Sequence, residues 1–600
     1  MTRIPLRPLA RILGAREAGE NPDLIEQENI RQRHEVMRDK ARDMAEGRLL
    51  VLALVFLTGF VMIGARMTTL AVSEPSEPRA AASASRIVGQ RADIVDREGR
   101  VLATNFDTHS LYAHPRDLID PAGSVAALLG IFPDLDGDQL LKDLTGKRKF
   151  VWVKRRISPE QKQAVHDIGD PGLLFGPREM RLYPNGPLAA HILGGASYGK
   201  EGVHSAEVIG VAGVEKHFDD WLRDPANDGA PLALSIDLSV QAASERVLNG
   251  GMKLFNAKGA ASVLMDVHTG EVISLVSLPD FDPNERPRPL TAEHKGDQSD
   301  SPLFNRAVQG VYELGSAFKI FTAAQAMELG LVNADTQVNT QGPLRWGRFK
   351  IGEFQGKNYG PTLSVSKIIE KSSNIGTARL AQQIGNTRQK EFMDALGFLT
   401  PTTLEVSEAK TGRPLFPSNW SELSAMTISY GHGISTSPLH LAAGYASLLN
   451  GGFKVEPTLL KQRGPRMGAR IVSSDVSASA RQMLRGVVTE GTASFGDVKG
   501  YAVGGKTGTA DKPRTNGGGY YDDRTITTFA SVFPAHSPRY VLVVTFDEAV
   551  ETSGTEPRRS AGWTAVPVAA ELIRRVAPLL GLRPTIEPAD PQGIVLTSSD

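Results

Sequence analysis

The pattern of apolar and polar residues divides the chain near residue 49. Residues 1–48 are polar and carry both charge signs, and residues 23–48 are consistent with a solvated helix. Residues 49–65 form an uncharged apolar run. A bilayer is spanned by about 17 to 25 such residues, and uncharged runs this long are rare in soluble cores. We therefore predict a transmembrane helix over residues 49–66 rather than a buried core helix.

The charges beside the apolar run predict its orientation. Residues 29–48 contain six Lys or Arg, whereas residues 66–85 contain two. Because the more basic flank stays in the cytoplasm, the larger C-terminal part is expected in the periplasm, beyond the inner membrane. A cleaved signal peptide is the alternative, but its basic region would be too long, and the small residues Ala82, Ser83 and Ala84 lie far beyond the run. We expect a single-pass, uncleaved anchor.

Short elements follow a linker at 67–85 that is rich in Ser, Pro, Ala and Glu. Residues 91–103 predict two short strands around a turn at Glu98-Gly99. Short strands, loops and modest helices alternate up to residue 230, without a cluster of residues suited to catalysis. We interpret residues 67–230 as a periplasmic linker and pedestal domain.

A second folded domain is predicted at 231–582, followed by a C-terminal tail at 583–600. Residues 261–267 and 271–276 are apolar strands around a turn, which predicts a hairpin. Helical patterns fill residues 316–450. Strand patterns return at 500–510, 525–533 and 539–547, and an amphipathic helix spans 565–580. Strands first, helices in the middle and strands last describe an antiparallel sheet covered by helices, an α+β fold.

Composition then limits the function. Lys+Arg and Asp+Glu each number 67, so the net charge is zero and no basic stripe indicates a nucleic-acid partner. Cysteine is absent, which excludes disulfides, thiol catalysis and Cys-based zinc sites. The 12 histidines form no His-Glu-x-x-His metal-binding motif. We expect neither a metal nor another cofactor.

The spacing Ser-x-x-Lys is the first candidate for chemistry. Residues three apart share a helix face, so a lysine amine can take the proton of a serine hydroxyl. Only Ser316 with Lys319 opens a long run whose apolar residues are spaced to bury one helical face. A helix N-cap is the alternative role for Ser316. The same spacing occurs in loop, helix-start and turn contexts at Ser197/Lys200, Ser364/Lys367 and Ser407/Lys410.

Two further motifs lie downstream. Ser372-Ser373-Asn374 places a hydroxyl and a carboxamide two residues apart. Lys506-Thr507-Gly508-Thr509 is predicted to end a strand that begins at Tyr501, with Lys506 and Gly508 on one face. A second Lys-Thr-Gly, at Lys410, has no strand pattern around it. Each motif alone is usually a turn, cap or hairpin end, but the three in this order favour one site.

With these motifs the chain resembles the class B penicillin-binding proteins, and among them the septal cell-division type (type 3). The resemblance covers nearly everything after residue 48. It implies a serine β-lactamase-like fold for the C-terminal domain and a dimerisation-type pedestal. The chain departs from the residues common in that family at Leu314, Ala317, His432 and His440. These departures bear on substrate preference. The other matching segments are 91–103, 181–186, Asn305-Arg306, 431–438, 450–452 and Gly491-Thr492.

The resemblance implies a role for each motif residue. Ser316 would be the acyl-forming nucleophile, Lys319 its base and Ser372 a proton relay. A lysine base near neutral pH needs a pKa about 3 units below its ordinary value, and burial with a nearby cation acts in that direction. Backbone N–H groups of Ser316 and Thr509 would form the oxyanion hole. The implied substrate-binding residues are Asn374, for the peptide amide, and Lys506, Thr507, Gly508 and Thr509, near the terminal carboxylate.

The implied reaction is peptidoglycan D,D-transpeptidation at the division septum. A stem peptide ending in D-alanyl-D-alanine acylates the serine, D-alanine leaves, and the amine of a neighbouring stem resolves the ester. β-Lactams would acylate the same serine. The implied partners are a lipid-linked glycan polymerase and other division proteins.

Three alternatives remain open at this point. A serine β-lactamase of class A needs a Glu-x-x-Leu-Asn base for deacylation, and none lies between Asn374 and Lys506. A non-enzymatic β-lactam receptor or scaffold would use residues 1–48 for a cytoplasmic partner. An elongation-type transpeptidase more often carries Ser-Cys-Asp where this chain has Ser-Ser-Asn. A bifunctional synthase does not fit, because 67–230 is too short for a glycosyltransferase domain.

Overall fold

The computed structural model describes residues 9–72, 91–201, 206–290, 297–514 and 518–585. Most of the predicted linker and nearly all of the predicted C-terminal tail lie outside these residues. The chain forms two compact units. One consists of Met1–Glu77, Leu111–Arg155 and Glu160–Leu174, and the other of Pro78–Ser110, Arg156–Pro159 and Phe175–Asp600.

A long helix occupies the N-terminal part of the first unit. Helix α1 (Leu9–Glu17) precedes α2 (Pro22–Val72), which joins the charged segment and the apolar run without a break. The apolar side chains are exposed, with Phe56 at 60% and Leu57 at 62%. Among the described residues, this is the one helix long and apolar enough to cross a membrane. An exposed apolar surface of this length fits a single-pass anchor.

Short elements make up the middle of the chain, as the sequence predicted. They are β1 (Ile94–Val95), β2 (Val101–Ala113), α3 (Pro121–Ile131), α4 (Gly137–Thr145), β3 (Val151–Ile157), α5 (Pro159–His166), β4 (Leu173–Leu182), α6 (Ala190–Leu193), β5 (Gly195–Glu201), β6 (Ala206–Ala212), α7 (Gly213–His217) and α8 (Asp219–Leu222). Within the first unit, α3 and α4 pack on each other, and each begins at an aspartate that caps its first turn.

A buried ion network holds part of the second unit. Strands β1 and β2 pair antiparallel, which confirms the predicted hairpin. Just before β1, Arg91 donates through Nε to Glu215 at 2.7 Å, and Arg181 donates through Nε to the same carboxylate at 2.7 Å. Glu215 has no exposed surface. Because each buried charge has partners, the cost of its desolvation is offset.

The remaining elements form a five-stranded sheet and the helices and short strands around it. They are β7 (Leu232–Ala233), α9 (Leu238–Leu254), β8 (Gly259–Asp266), β9 (Val272–Leu278), α10 (Lys319–Glu328), β10 (Gln337–Asn339), β11 (Leu344–Trp346), β12 (Phe349–Ile351), β13 (Thr362–Ser364), α11 (Val365–Lys371), α12 (Asn374–Ile384), α13 (Asn386–Ala395), α14 (Glu422–Ser429), α15 (Pro438–Leu449), α16 (Ser474–Thr489), β14 (Gly504–Pro513), β15 (Tyr520–Phe533), β16 (Tyr540–Asp547) and α17 (Ala565–Leu579). Strand β7 pairs in parallel with β1.

The central sheet has the order β14-β15-β16-β8-β9, and every neighbouring pair is antiparallel. This confirms the predicted antiparallel sheet and its first hairpin. Strand β16 is buried at every position, so both faces of the sheet are covered. Helices α9 and α17 pack on the sheet and on each other, and α15 packs on β8, β15 and β16. Strand β14 is an edge strand, paired within the sheet only with β15.

Two predictions about elements were wrong in detail. The strand that carries Lys506 begins at Gly504 rather than Tyr501 and continues to Pro513, so the motif lies inside the strand and not at its end. The region predicted as helical also contains the two small hairpin-like sheets β10–β13 and β11–β12. Strands of three residues carry too few alternations to be recognised from sequence.

Candidate active site

Ser316 lies in a tight turn at the start of the apolar run for which the sequence predicted a helix. Residues Gly315–Phe318 form a 3₁₀ helix, and the α-helix α10 begins at Lys319. The sequence predicted an α-helix from Ser316, but residues three apart also share a face in a 3₁₀ helix. Ser316 and Lys319 therefore keep the common orientation that their spacing predicted.

Close backbone packing fixes this turn. Gly315 adopts φ +56, and a Cβ added there would lie 2.8 Å from the Thr509 carbonyl oxygen. A Cβ on Gly508 would lie 2.1 Å from the Leu314 carbonyl oxygen. The Tyr445 hydroxyl also donates to the Ala317 carbonyl at 2.8 Å. The turn and strand β14 thus approach so closely that only glycine fits at these two positions.

Lys319 is fully buried beside the Ser-x-Asn motif. Its Nζ donates to the Ser372 carbonyl at 2.5 Å, to Ser372 Oγ at 3.1 Å and to Asn374 Oδ1 at 2.7 Å. Burial, and then the cation of Lys506, hold the pKa of Lys319 well below its ordinary value. A lysine in this environment has a larger neutral fraction near pH 7 than a solvated one.

Ser372 lies between two lysines. It occupies the left-handed turn that separates α11 from α12, with φ +66. Besides the bond from Lys319, its Oγ accepts a hydrogen bond from Lys506 Nζ at 3.0 Å. Burial lowers the pKa of Lys506 to about 7. A hydroxyl that bridges two amines with lowered pKa values is suited to relay a proton.

Asn374 is held at both ends of its carboxamide. Its Oδ1 accepts from Lys319, and its Nδ2 donates to the Gly352 carbonyl at 3.0 Å. Since an amide nitrogen has two hydrogens, one Nδ2 hydrogen is left for another acceptor.

The threonine hydroxyls of β14 have partners of their own. The Thr507 hydroxyl is 2.7 Å from that of Thr492 and also accepts from Lys506 Nζ at 3.4 Å, and Thr509 Oγ1 accepts from the Ala561 amide at 3.0 Å. Lys506 contacts Ser372, and Gly508 lies against the Ser316 turn, on the common face that strand alternation predicted. The structure therefore brings Ser316, Lys319, Ser372, Asn374 and the segment 506–509 together.

The other motif copies lie in structural roles. Ser364 is the N-cap of α11, where its Oγ accepts from the Lys367 amide at 3.2 Å. Ser407 and Lys410 bound a short 3₁₀ helix, so this Lys-Thr-Gly copy is not in a strand, as predicted. Ser197 lies in β5. Within the described ranges, no group of three or more His, Asp or Glu side chains is arranged to hold a metal.

Sequence reasoning missed one residue at the centre of these contacts, Glu353, which accepts hydrogen bonds from Ser373 and from the start of α12. It stands about twenty residues before the motif that it contacts, in a loop without any recognisable pattern.

His440, noted as a departure, forms a capping box with Ser437 at the start of α15.

This arrangement is suited to acyl transfer. It combines a serine on a fixed turn, a buried amine with a lowered pKa, a bridging hydroxyl and an edge strand along which an extended peptide can bind. The turn and the edge strand also bring two backbone segments together, as an oxyanion hole requires.

Comparisons with known proteins agree with this chemistry. Residues 260–573 match the family model of the penicillin-binding protein transpeptidase domain, and residues 86–227 match that of the penicillin-binding protein dimerisation domain. The chain is 34% identical over 511 residues to the probable peptidoglycan D,D-transpeptidase FtsI of Caulobacter vibrioides, covering 83% of each chain.

Two further relatives are more distant. The peptidoglycan D,D-transpeptidase FtsI of Escherichia coli is 27% identical, covering 76% of this chain and 79% of the relative. The stage V sporulation protein D of Bacillus subtilis is 27% identical, covering 88% and 82%. The extent of these matches, together with the site geometry, shows that the chain belongs to the penicillin-binding proteins that join a dimerisation domain to a transpeptidase domain.

Proposed function

We propose that this protein is a peptidoglycan D,D-transpeptidase that cross-links stem peptides through a serine acyl-enzyme and is acylated by β-lactams. The observation that carries the proposal is the bridge made by Ser372 Oγ between Lys319 and Lys506 beside the Ser316 turn. The FtsI relatives carry this activity in their names.

In the first half-reaction, Lys319 takes the proton of Ser316 Oγ as that oxygen attacks the penultimate D-alanine carbonyl. The Ser316 and Thr509 amides stabilise the oxyanion, each donor being worth about 3 to 4 kcal/mol. The C–N bond then breaks, and Ser372 passes a proton to the departing D-alanine amine. The positive charge and hydroxyls around Lys506 bind the terminal carboxylate, and the spare Nδ2 hydrogen of Asn374 binds a substrate carbonyl.

In the second half-reaction, the amine of a neighbouring stem attacks the ester. The proton of that amine leaves through Ser372 and Lys319, and Ser316 Oγ regains a proton as the ester C–O bond breaks. One peptide bond is exchanged for another, so no cofactor is consumed.

The direct test uses purified protein with a stem peptide that ends in D-alanyl-D-alanine and a separate amine acceptor. We expect D-alanine release and an acceptor-linked product in equal amounts. Release of D-alanine with hydrolysis alone would indicate a carboxypeptidase, and rapid hydrolysis of penicillin without peptide turnover would indicate a β-lactamase. A stable adduct with no turnover of any peptide would indicate a receptor or scaffold.

We propose that the segments have the following locations: residues 1–48 in the cytoplasm, 49–66 in the inner membrane, and the linker, pedestal (67–230), transpeptidase domain (231–582) and tail (583–600) in the periplasm. The charge asymmetry around the apolar run supports this orientation. Protease added to spheroplasts is expected to degrade the large domain and to leave a membrane-protected N-terminal fragment. A cytoplasmic marker protein must survive the same treatment. Protection of the large domain would contradict the topology.

A septal role is the second part of the proposal. It is supported by the Ser372-Ser373-Asn374 motif and by overall similarity, and it brings a lipid-linked glycan polymerase and division proteins as partners. Depletion is expected to give filaments with normal side walls and blocked septa, and a fluorescent fusion should gather at midcell. Swollen cells that still divide would assign the protein to the elongation branch.

A further inference from the structure

One acidic side chain outside the three motifs contacts the active site. Glu353 follows β12 and accepts three hydrogen bonds from consecutive residues. They come from Ser373 Oγ at 2.5 Å, the Asn374 amide at 2.7 Å and the Ile375 amide at 3.3 Å. A single carboxylate therefore holds the end of the Ser-x-Asn motif.

Two of these contacts satisfy the start of helix α12. The first amides of a helix have no partner within it, and a negative charge there is favoured by the helix dipole. Glu353 accepts from the first two amides, and Ser373 Oγ accepts from the Gly376 amide at 3.0 Å. Glu353 thus fixes the residue at which α12 begins, and that residue is Asn374.

Gly352, the residue before Glu353, orients the Asn374 side chain. The Gly352 carbonyl accepts from Asn374 Nδ2, which turns Oδ1 toward Lys319 Nζ. The two-residue segment Gly352–Glu353 thus holds the backbone and the side chain of the residue that contacts the proposed base.

We propose that Glu353 is a positioning residue for acyl transfer, holding the turn from Ser372 to Asn374 in register with Lys319. This inference rests on the proposed function of Ser316 and Lys319. Its carboxylate acts through the turn and the local field and does not touch the reacting atoms.

The charge of Glu353 also faces the active site. Burial and the cation of Lys506 lower the pKa of Lys319, while the carboxylate of Glu353 raises it. Tyr359 also faces Glu353, and burial followed by this carboxylate raises the pKa of its phenol. Removing the negative charge therefore lowers the pKa of Lys319 further. Since the base must be neutral, the acid limb of the rate profile moves to lower pH.

The test measures the second-order rate constant of penicillin acylation and the melting temperature. The rate constant is followed from about pH 5 to 9, an interval that covers the titration of a lysine with a lowered pKa. The variants are Glu353→Gln and Glu353→Asp, with Glu391→Gln, an exposed residue of α13, as the charge-matched control. For Glu353→Gln we expect a plateau lower by about 10-fold, within the range known for misplaced groups, and an acid limb shifted down by about one unit.

Glu353→Asp keeps the charge but is shorter by one methylene. It is expected to leave the acid limb in place and to recover part of the plateau, while the control matches the wild type. Glu353→Gln with an unchanged profile would overturn the inference. So would an equal rate loss at every pH with a lowered melting temperature, because that outcome describes a purely structural residue.

Two further outcomes distinguish a failure of the Glu353 inference from a failure of the proposed function. If Glu353→Gln does not fold, Glu353→Asp carries the test, and a wild-type plateau in that variant overturns the inference. If the wild-type protein forms no adduct on Ser316, the proposed function itself fails, and this result is independent of any Glu353 variant.

Discussion

Ser316→Ala is expected to abolish the covalent penicillin adduct and to leave the protein folded. In the wild type, one acyl group should appear on the intact protein and map to the peptide that contains Ser316. The variant loses the hydroxyl that forms the ester, and no neighbouring group replaces it on the 3₁₀ turn. The turn itself persists, because it is held by the Gly315 and Gly508 backbone approach and by Tyr445. Intact mass and peptide mapping measure the adduct, and thermal melting checks the fold.

Ser364→Ala is the matched control, since it alters a second Ser-x-x-Lys copy. Ser364 caps α11, so its loss should cost about 1 kcal/mol of stability and leave the adduct unchanged. An adduct that maps to Ser197, Ser364 or Ser407 would show that the nucleophile has been assigned wrongly.

Lys319→Ala is expected to slow acylation by about 10²-fold or more, as for loss of a positioned base, which equals about 2.7 kcal/mol in the activation free energy. The amine is buried and bonded to Ser372 and Asn374, and a water molecule in its place would be a much weaker base. The rate constant for acylation, followed with a fluorescent penicillin, measures the effect. Lys367→Ala, which removes an exposed amine paired with Glu370 and Glu490, should acylate normally.

The pH dependence has a defined sign. Burial and the Lys506 cation lower the pKa of Lys319, so the wild-type rate should rise with pH and reach its plateau below the ordinary lysine value of about 10.4. Lys319→Ala should lose this rising limb. A variant that acylates at the wild-type rate at neutral pH would remove Lys319 from the role of base.

The features that the sequence predicted best are those encoded locally. Residues 540–546 are apolar almost throughout because β16 is buried on both faces, and such a run is recognisable without knowing its partners. The Ser316/Lys319 pair follows from a spacing of three, and the Lys506 face follows from strand alternation. In each case the predicted orientation of the side chain depends only on residues that are neighbours in sequence.

The features that sequence reasoning missed depend on distant partners. Glu353 meets Ser373 and Asn374 only because β12 and the following loop bring it there, and glutamates of this kind are common on loops. The small strands β10 to β13 have three residues each, with Gly and Pro in the segments between them, and are too short to show a period. The start of the Lys506 strand at Gly504 is set by pairing with Val532 of β15, which no local pattern specifies.

The open edge of β14 has a consequence for resistance to inhibitors. A ligand that pairs with a strand edge is recognised through main-chain groups, and these are the same whatever side chains the strand carries. Substitutions that leave the β14 backbone in place therefore keep those donors and acceptors. A change that displaces the strand alters them, and the Thr492 hydroxyl, 2.7 Å from the Thr507 hydroxyl, is one contact that holds the strand from outside. Loss of that contact is expected to affect binding of the natural peptide as well as of the drug.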